Sequence, residues 1–152
     1  MELKDKVAVV SGSSRGIGRA IAVALAGEGV KVAINYVANK DKAEETLQLV
    51  NKAGSEGIVV RADVSDYLQA KTLIEKAVKA FGTIHILVHS AGIYGKKPIM
   101  EMSYDEWDRM IKVHLYSAYN LVKHALPYMV ENKEGVIAVS YTHLTLPTTE
   151  RV

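Results

Sequence analysis

The chain has 152 residues, 49% hydrophobic and 24% charged, with a formal net charge of +2 and no cysteine. This composition suits one folded domain, and its mixed charge gives no basis for a nucleic-acid or membrane surface. The lack of cysteine excludes disulfides and thiolate catalysis, and no His, Asp and Glu cluster has metal spacing. The apolar run at residues 7–10 is too short for a signal peptide, so we expect a cytoplasmic protein.

Short β-branched runs alternate with longer amphipathic runs along the chain. In chain order the pattern predicts a strand at 7–10, a helix at 17–26, a strand at 32–34, a helix at 41–53, a strand at 57–60, a helix at 66–81, a strand at 84–88, a helical stretch from 103 to about 130 and a strand at 136–139. Gly54 and Gly82 mark helix ends, and Ser103 is a predicted N-cap. The alternation predicts βαβ crossovers, and therefore a parallel sheet with helices on both faces.

A glycine-rich motif, Ser11-Gly12-Ser13-Ser14-Arg15-Gly16-Ile17-Gly18, lies where the first strand becomes the first helix. Gly12 permits a tight turn, Gly16 lets the backbone approach a pyrophosphate, and Gly18 lets the helix pack closely on the strand. The helix N-terminus offers unpaired N–H groups and a partial positive charge to phosphates. The glycines alone leave open a tight turn without a ligand, but the strand-to-helix context favours dinucleotide binding.

The Gly-x3-Gly-x-Gly spacing resembles that of the short-chain dehydrogenase/reductase family. Three further segments resemble family elements in the same order. They are Asp63-Val64, similar to the adenine-contacting pair, His89-Ser90-Ala91-Gly92, similar to an Asn-Asn-Ala-Gly element, and residues 111–115, similar to a helix segment containing Val-Asn-Leu. The resemblance runs from about Leu3 to Ala138. Within the family, residues 13–18 and 34–36 are most similar to 3-oxoacyl-acyl-carrier-protein reductases.

The resemblance implies a Rossmann-type doubly wound parallel sheet of strand order 3-2-1-4-5, truncated here after the fifth strand. It implies hydride transfer between a nicotinamide and a carbonyl or alcohol, a small-molecule or acyl-carrier-linked carbonyl substrate, and a homotetrameric parent enzyme. The cofactor-binding residues that we carry over are Gly12, Ser13, Ser14, Arg15, Gly16, Ile17, Gly18, Asn35, Tyr36, Asp63, Val64, Ser90, Ala91 and Gly92.

The end of the second strand indicates which nicotinamide is used. NAD sites place an Asp or Glu there to accept a hydrogen bond from the ribose 2′-hydroxyl, whereas this chain has Asn35 and Tyr36. Arg15, inside the glycine loop, could pair with a 2′-phosphate, and Lys40 is a second candidate. A solvated charge is the alternative for both. We predict NADP(H).

Several positions depart from the family pattern. His89 and Ser90 replace two asparagines, and His114 replaces an asparagine that helps to hold a proton-relay water in the family. His114 is therefore a catalytic candidate, and a half-buried helix histidine is the equally weighted alternative. The segment 107–111, with Trp107, Met110 and Ile111, is expected to form a helix face in the core.

The catalytic Ser and Tyr-x-x-x-Lys of the family have no match. Tyr141 is followed by Thr145 where Lys would stand, and Ser140 lies slightly early. Residues 139–152 match a translated adapter of transposon-based sequencing libraries. We therefore expect an incomplete NADP(H)-binding Rossmann domain at 1–138, a non-native tail at 139–152, and an inactive, marginally stable chain. A genuine non-catalytic NADP(H)-binding module is the alternative.

Overall fold

The structure, a computed structural model, describes residues 2–95 and 97–140. They form a five-stranded parallel sheet of order β3-β2-β1-β4-β5 with helices between the strands, so the predicted doubly wound fold is confirmed. The elements are β1 (Val7–Ser11), α1 (Gly16–Gly27), β2 (Lys31–Tyr36), α2 (Lys40–Lys52), β3 (Gly57–Arg61), α3 (Tyr67–Phe81), β4 (Ile86–His89), a 3-10 turn (Ile99–Glu101), α4 (Tyr104–Ile111), a π-helical segment (Lys112–Tyr116), α5 (Ser117–Glu131) and β5 (Val136–Val139).

The core lies on both faces of the sheet, with β1 at its centre. Val9 pairs with Ala33 of β2 on one side and with Leu87 of β4 on the other. Successive strand residues point to opposite faces. One face therefore packs on α3 and α5 through Leu73 and Leu121, and the other packs on α1 and α2. Burial of each of these leucine side chains contributes about 1.5–3 kcal/mol to the stability of the folded state.

The predicted helix ends are present. Gly54 and Gly82 adopt the left-handed φ values of +96° and +89° that glycine accepts without strain. Ser103 begins α4 with a capping box, in which its Oγ accepts from the Glu106 N–H at 3.2 Å and the Glu106 carboxylate accepts from the Ser103 N–H at 2.9 Å. Local sequence thus determines where these helices begin and end.

The long helix after Ser103 differs from the prediction. It is interrupted by the π-helical segment between α4 and α5, and α4 buries none of its residues. Trp107 is 48% exposed, so the expectation of a core face at residues 107–111 is wrong. The amphipathic pattern is present, but the described residues do not cover its apolar side. The fourth strand also begins at Ile86 rather than at residue 84.

The fifth strand pairs with β4, from Val136 opposite Ile86 to Val139 opposite His89, and all four of its residues are exposed. The proposed boundary at Ala138 falls within this strand. Residues 141–152 lie outside the described residues, so the non-native origin of 139–152 stays a prediction. Among the described helices, none is both long and apolar enough to cross a bilayer.

Candidate cofactor-binding site

The glycine loop connects β1 to α1, and its three glycines have different surroundings. Gly12 has φ +64°, and a Cβ there would lie 2.7 Å from the Ala91 Cα. A Cβ on Gly18 would lie 2.5 Å from the Gly12 carbonyl oxygen. Gly16 has φ +58°, and a Cβ there would have no neighbour within 4 Å. Two glycines therefore permit internal packing, while Gly16 leaves open space where a ligand can approach the backbone.

Buried hydrogen bonds of Ser13 and Asn35 connect this loop to the sheet. The Ser13 hydroxyl donates to the Val10 carbonyl at 2.6 Å and accepts from the Asn35 N–H at 2.9 Å. The Asn35 side chain accepts from the Gly12 N–H at 3.1 Å and donates to the Ala62 carbonyl at 2.9 Å. Both side chains are buried. Asn35 was predicted to bind cofactor, but its amide is used within the protein, where it positions the loop and the ends of β2 and β3.

The basic side chains near the loop differ in whether they already have a partner within the protein. Arg19 donates to the Ser14 carbonyl at 2.6 Å and to Thr46 Oγ1 at 2.9 Å, so it joins the loop to α2. Lys40 forms an ion pair with Glu44 at 3.0 Å, and the hydrogen bond to this carboxylate raises the Lys40 pKa. Arg15 is exposed at the N-cap of α1 and has no ion pair among the described residues. Arg15 is thus the better placed of the two predicted 2′-phosphate partners.

The other predicted residues follow neighbouring strands at the same edge of the sheet. Asp63 comes after β3, and its carboxylate accepts from the Ser65 N–H at 3.0 Å and from the Ser65 Oγ at 2.6 Å. Val64 is buried, and its carbonyl accepts from the side chain of Asn120 on α5 at 3.1 Å. Tyr36 ends β2 opposite Arg61. Carboxyl ends of parallel strands meet at one edge, which is where open α/β sheets bind ligands.

The loop after β4 meets the π-helical segment through His114. The His114 Nε2 lies 2.7 Å from the Ile93 carbonyl oxygen and 3.3 Å from the Ile93 nitrogen. A Cβ on Gly92 would lie 2.8 Å from the His114 Cε1, so a larger residue there would require the imidazole to shift. The imidazole is exposed rather than half-buried. The structure thus places His114 beside the predicted Ser90–Gly92 element, at the border of the site.

Residues 6–142 match the family model described as short chain dehydrogenase. The chain belongs to this family. A 3-oxoacyl-[acyl-carrier-protein] reductase of Staphylococcus aureus is 39% identical over 132 residues, which cover 87% of this chain and 54% of the relative. The corresponding reductase of Staphylococcus epidermidis is 38% identical over 133 residues. The chain therefore spans about half the length of the curated relatives it matches.

Solved short-chain dehydrogenases share the architecture. A Serratia marcescens short-chain dehydrogenase/reductase, in a mutant form with two phenylalanines replaced by leucine, has a TM-score of 0.80 and 37% identity, covering 84% of this chain and 52% of the other. A short-chain dehydrogenase from Mycobacterium avium has a TM-score of 0.83 and 31% identity, covering 91% of this chain and 55% of the other. Short-chain dehydrogenase membership implies a nicotinamide dinucleotide cofactor, and the open N-terminus of α1 at Gly16 fits its pyrophosphate.

The sequence did not predict several residues that hold the loops of this short-chain dehydrogenase site in place by hydrogen bonds. Ser11, Arg19 and Asn120 bond to the loops that carry the predicted residues, and Ser117 bonds to His89 at the end of β4. The only sequence signal was a polar residue at the end of an otherwise apolar strand, as at Ser11. Within residues 2–95 and 97–140, no group of three or more His, Asp or Glu side chains could hold a metal ion.

Proposed function

We propose that this chain is the cofactor-binding part of an NADP(H)-dependent carbonyl reductase. The observation that carries the proposal is the open, left-handed Gly16 at the N-terminus of α1, beside an exposed Arg15 and a β2 end without a carboxylate. The similarity to 3-oxoacyl-[acyl-carrier-protein] reductases supports a carbonyl substrate, either a small molecule or a 3-oxoacyl group on its carrier. When bound, the nicotinamide supplies or accepts the hydride.

The chain's own residues bind and orient that cofactor. The backbone N–H groups of Gly16, Ile17 and Gly18, in the first turn of α1, and the dipole of this helix hold the pyrophosphate, since a helix N-terminus favours negative charge. Arg15 pairs with the 2′-phosphate by charge-assisted hydrogen bonds. Asp63, Val64 and the Ser90–Gly92 backbone form the walls that follow β3 and β4. His114 borders the Ser90–Gly92 wall, where an imidazole can hold a relay water.

Equilibrium titration of the chain with NADPH and with NADH, followed by nicotinamide fluorescence, tests the cofactor. Removing a charge-assisted bond costs about 1.5–3 kcal/mol, so Arg15→Ala should weaken NADPH binding by about 10- to 100-fold and leave NADH binding unchanged. Lys76→Ala on the exposed side of α3 is the matched control and should change neither affinity. An unchanged NADPH/NADH ratio would remove the role of Arg15, and binding of neither nucleotide would refute the proposed cofactor.

A non-catalytic NADP(H)-binding module is the second candidate. It is favoured by one observation, that Tyr141 is followed at the fourth position by Thr145 instead of Lys. Sequencing the gene beyond the Ala138 codon by a method without transposon adapters separates the candidates. A frame that continues into a Ser and a Tyr-x-x-x-Lys supports the reductase and a non-native tail at 139–152. A genuine stop codon after Val152 supports the binding module.

We propose further that the full-length reductase is a homotetramer of the cytoplasm. An open apolar groove along the π-helical segment and α5 supports association, because Leu115, Tyr116, Tyr119 and Leu126 line it and are all exposed. Exposed apolar surface of this kind is typical of protein interfaces. Sedimentation of the full-length protein would show the tetramer, and a monomer at micromolar concentration would contradict it.

A further inference from the structure

A buried imidazole fills the gap between the glycine loop and the π-helical segment. His89 is the last residue of β4 and is 3% exposed. Its Nδ1 lies 2.9 Å from the Oγ of Ser11, which ends β1. Its Nε2 lies 3.0 Å from the Oγ of Ser117, the first residue of α5, and 3.3 Å from the carbonyl oxygen of His114. One ring thus contacts both sides of the candidate site.

The hydrogen bonds around Ser11 determine which ring nitrogen carries the proton. The Ser11 oxygen accepts from the Ser90 N–H at 3.0 Å and from the Ala91 N–H at 3.1 Å. A hydroxyl oxygen has two lone pairs and one hydrogen, so both acceptor positions are filled. The Ser11 hydrogen must therefore point to His89 Nδ1, which accepts it. A neutral ring then carries its own hydrogen on Nε2.

The other side of the ring agrees with this assignment. The Ser117 hydroxyl donates its hydrogen to the Val113 carbonyl, which leaves its oxygen free to accept from His89 Nε2. The His114 carbonyl is also an acceptor only. Every polar group around the ring is satisfied by one arrangement, and a single ring orientation links β1 to the π-helical segment.

We propose that His89 is a positioning residue of the site. Its imidazole is neutral and protonated at Nε2. In this state it sets the distance between the Ser90–Gly92 loop and the π-helical segment that carries His114. The Ser90–Gly92 loop in turn contacts Gly12. The proposal rests on the proposed function for its consequence in cofactor binding, but the protonation of the ring can be measured independently.

The charged state of His89 is unfavourable for a structural reason. A second proton would sit on Nδ1 and face a Ser11 oxygen whose acceptor positions are already filled. Burial is the main cause that lowers the pKa of His89. The hydrogen bond to the His114 carbonyl opposes this shift, and the charge of the His114 side chain adds to it. Among the described residues, His114 on the π-helical segment is the titratable side chain that acts on this pKa, while β1 and α5 contribute the hydroxyls of Ser11 and Ser117.

Long-range ¹H–¹⁵N spectra of the 152-residue chain test the ring directly, with the His89 signals assigned by their loss in His89→Asn. We expect an Nε2–H ring with unprotonated Nδ1, unchanged as the pH falls through about 6.5, where an ordinary imidazole titrates. An Nδ1–H ring, a mixture of both tautomers, or titration near 6.5 would overturn the proposal. None of these outcomes depends on whether a nucleotide binds.

Three variants separate the two contacts of the ring. His89→Asn keeps an amide near Ser11, His89→Gln reaches toward Ser117, and His89→Leu keeps neither. His89→Asn should shift the backbone amide signals around Ile93, whereas His89→Gln should shift those of Ser90 and Ala91. His89→Leu should shift both sets of signals. We expect His89→Leu to weaken NADPH binding about tenfold, with the other two variants between it and the parent chain. Equal amide shifts and equal affinities in all three folded variants would show that the ring only fills space.

Discussion

At the scale of single residues, the role of a residue could be predicted from the sequence where the backbone geometry demands one residue type. Gly12 has the left-handed φ expected of the tight turn. Gly18 has a close contact that excludes a side chain, but its neighbours are Gly12 and Ser13 of the loop rather than the strand that the prediction named. The role of Asn35 could not be predicted in this way, because a side-chain amide can bond equally well to a ligand or to the protein. Only the tertiary contacts show which of the two it does. The same holds for Ser11, whose partners His89 and Ala91 lie far away along the chain.

Gly18 provides a sharp test of the contact between α1 and the glycine loop. A Cβ at this position would lie 2.5 Å from the Gly12 carbonyl oxygen, and backbone atoms cannot rotate away from it. We expect Gly18→Ala to lower the free energy of unfolding by about 1–3 kcal/mol through overpacking, as measured by urea denaturation.

Gly27, at the other end of the same helix, is the matched control. A Cβ there has no neighbour within 4 Å. Because alanine loses less backbone entropy than glycine, Gly27→Ala should be neutral or stabilise the protein by up to about 1 kcal/mol. Equal unfolding free energies for the two variants would show that the close approach at Gly18 is not maintained.

At the scale of elements, helix ends were predictable and the π-helical segment was not. Caps depend on residues within one turn, as at Ser103, Gly54 and Gly82. The π-helical segment coincides with contacts that come from elsewhere in the chain, because the His114 carbonyl and Ser117 both lie against His89 of β4. Its residues continue the same helical periodicity, so the pattern predicts one uninterrupted helix.

The capping box of α4 should make this helix sensitive to acid. The hydrogen bond from Lys97, followed by those from Ser103, lowers the pKa of Glu106 from 4.5 to about 2. A carboxyl whose folded pKa lies below its unfolded pKa stabilises the folded form above the unfolded value. That contribution is therefore complete above pH 4.5 and is lost as the pH falls toward 2. The Cα chemical shifts of residues 104–107 should move toward coil values over this interval.

Glu106→Gln is the control for this titration. Glutamine can accept the same hydrogen bond from the Ser103 N–H, but it carries no charge and does not titrate. The variant should retain the α4 chemical shifts with little dependence on pH between 4.5 and 2. If the variant and the parent chain lose helix over the same pH interval, another carboxylate is responsible.

At the scale of the whole molecule, the βαβ alternation predicts the parallel sheet with helices on both faces, and the family resemblance implies its strand order; both are present. The apolar run at residues 7–10 is buried as its composition predicts. The surroundings of β5 and α4 could not be derived this way, since their apolar residues predict burial while the described residues provide no cover. Trp107 and Val139 are 48% and 53% exposed.

The exposed β5 leads to a prediction about association. In the part of the chain that the structure describes, β5 is an edge strand, and such an edge can pair with another chain. A lysine on an edge strand opposes this pairing, so Val139→Lys should raise severalfold the protein concentration at which aggregates form, as measured by light scattering. Leu49→Lys on α2, 40% exposed, is the control for added charge away from the edge. Equal protection by both variants would show that net charge, rather than the β5 edge, governs the association.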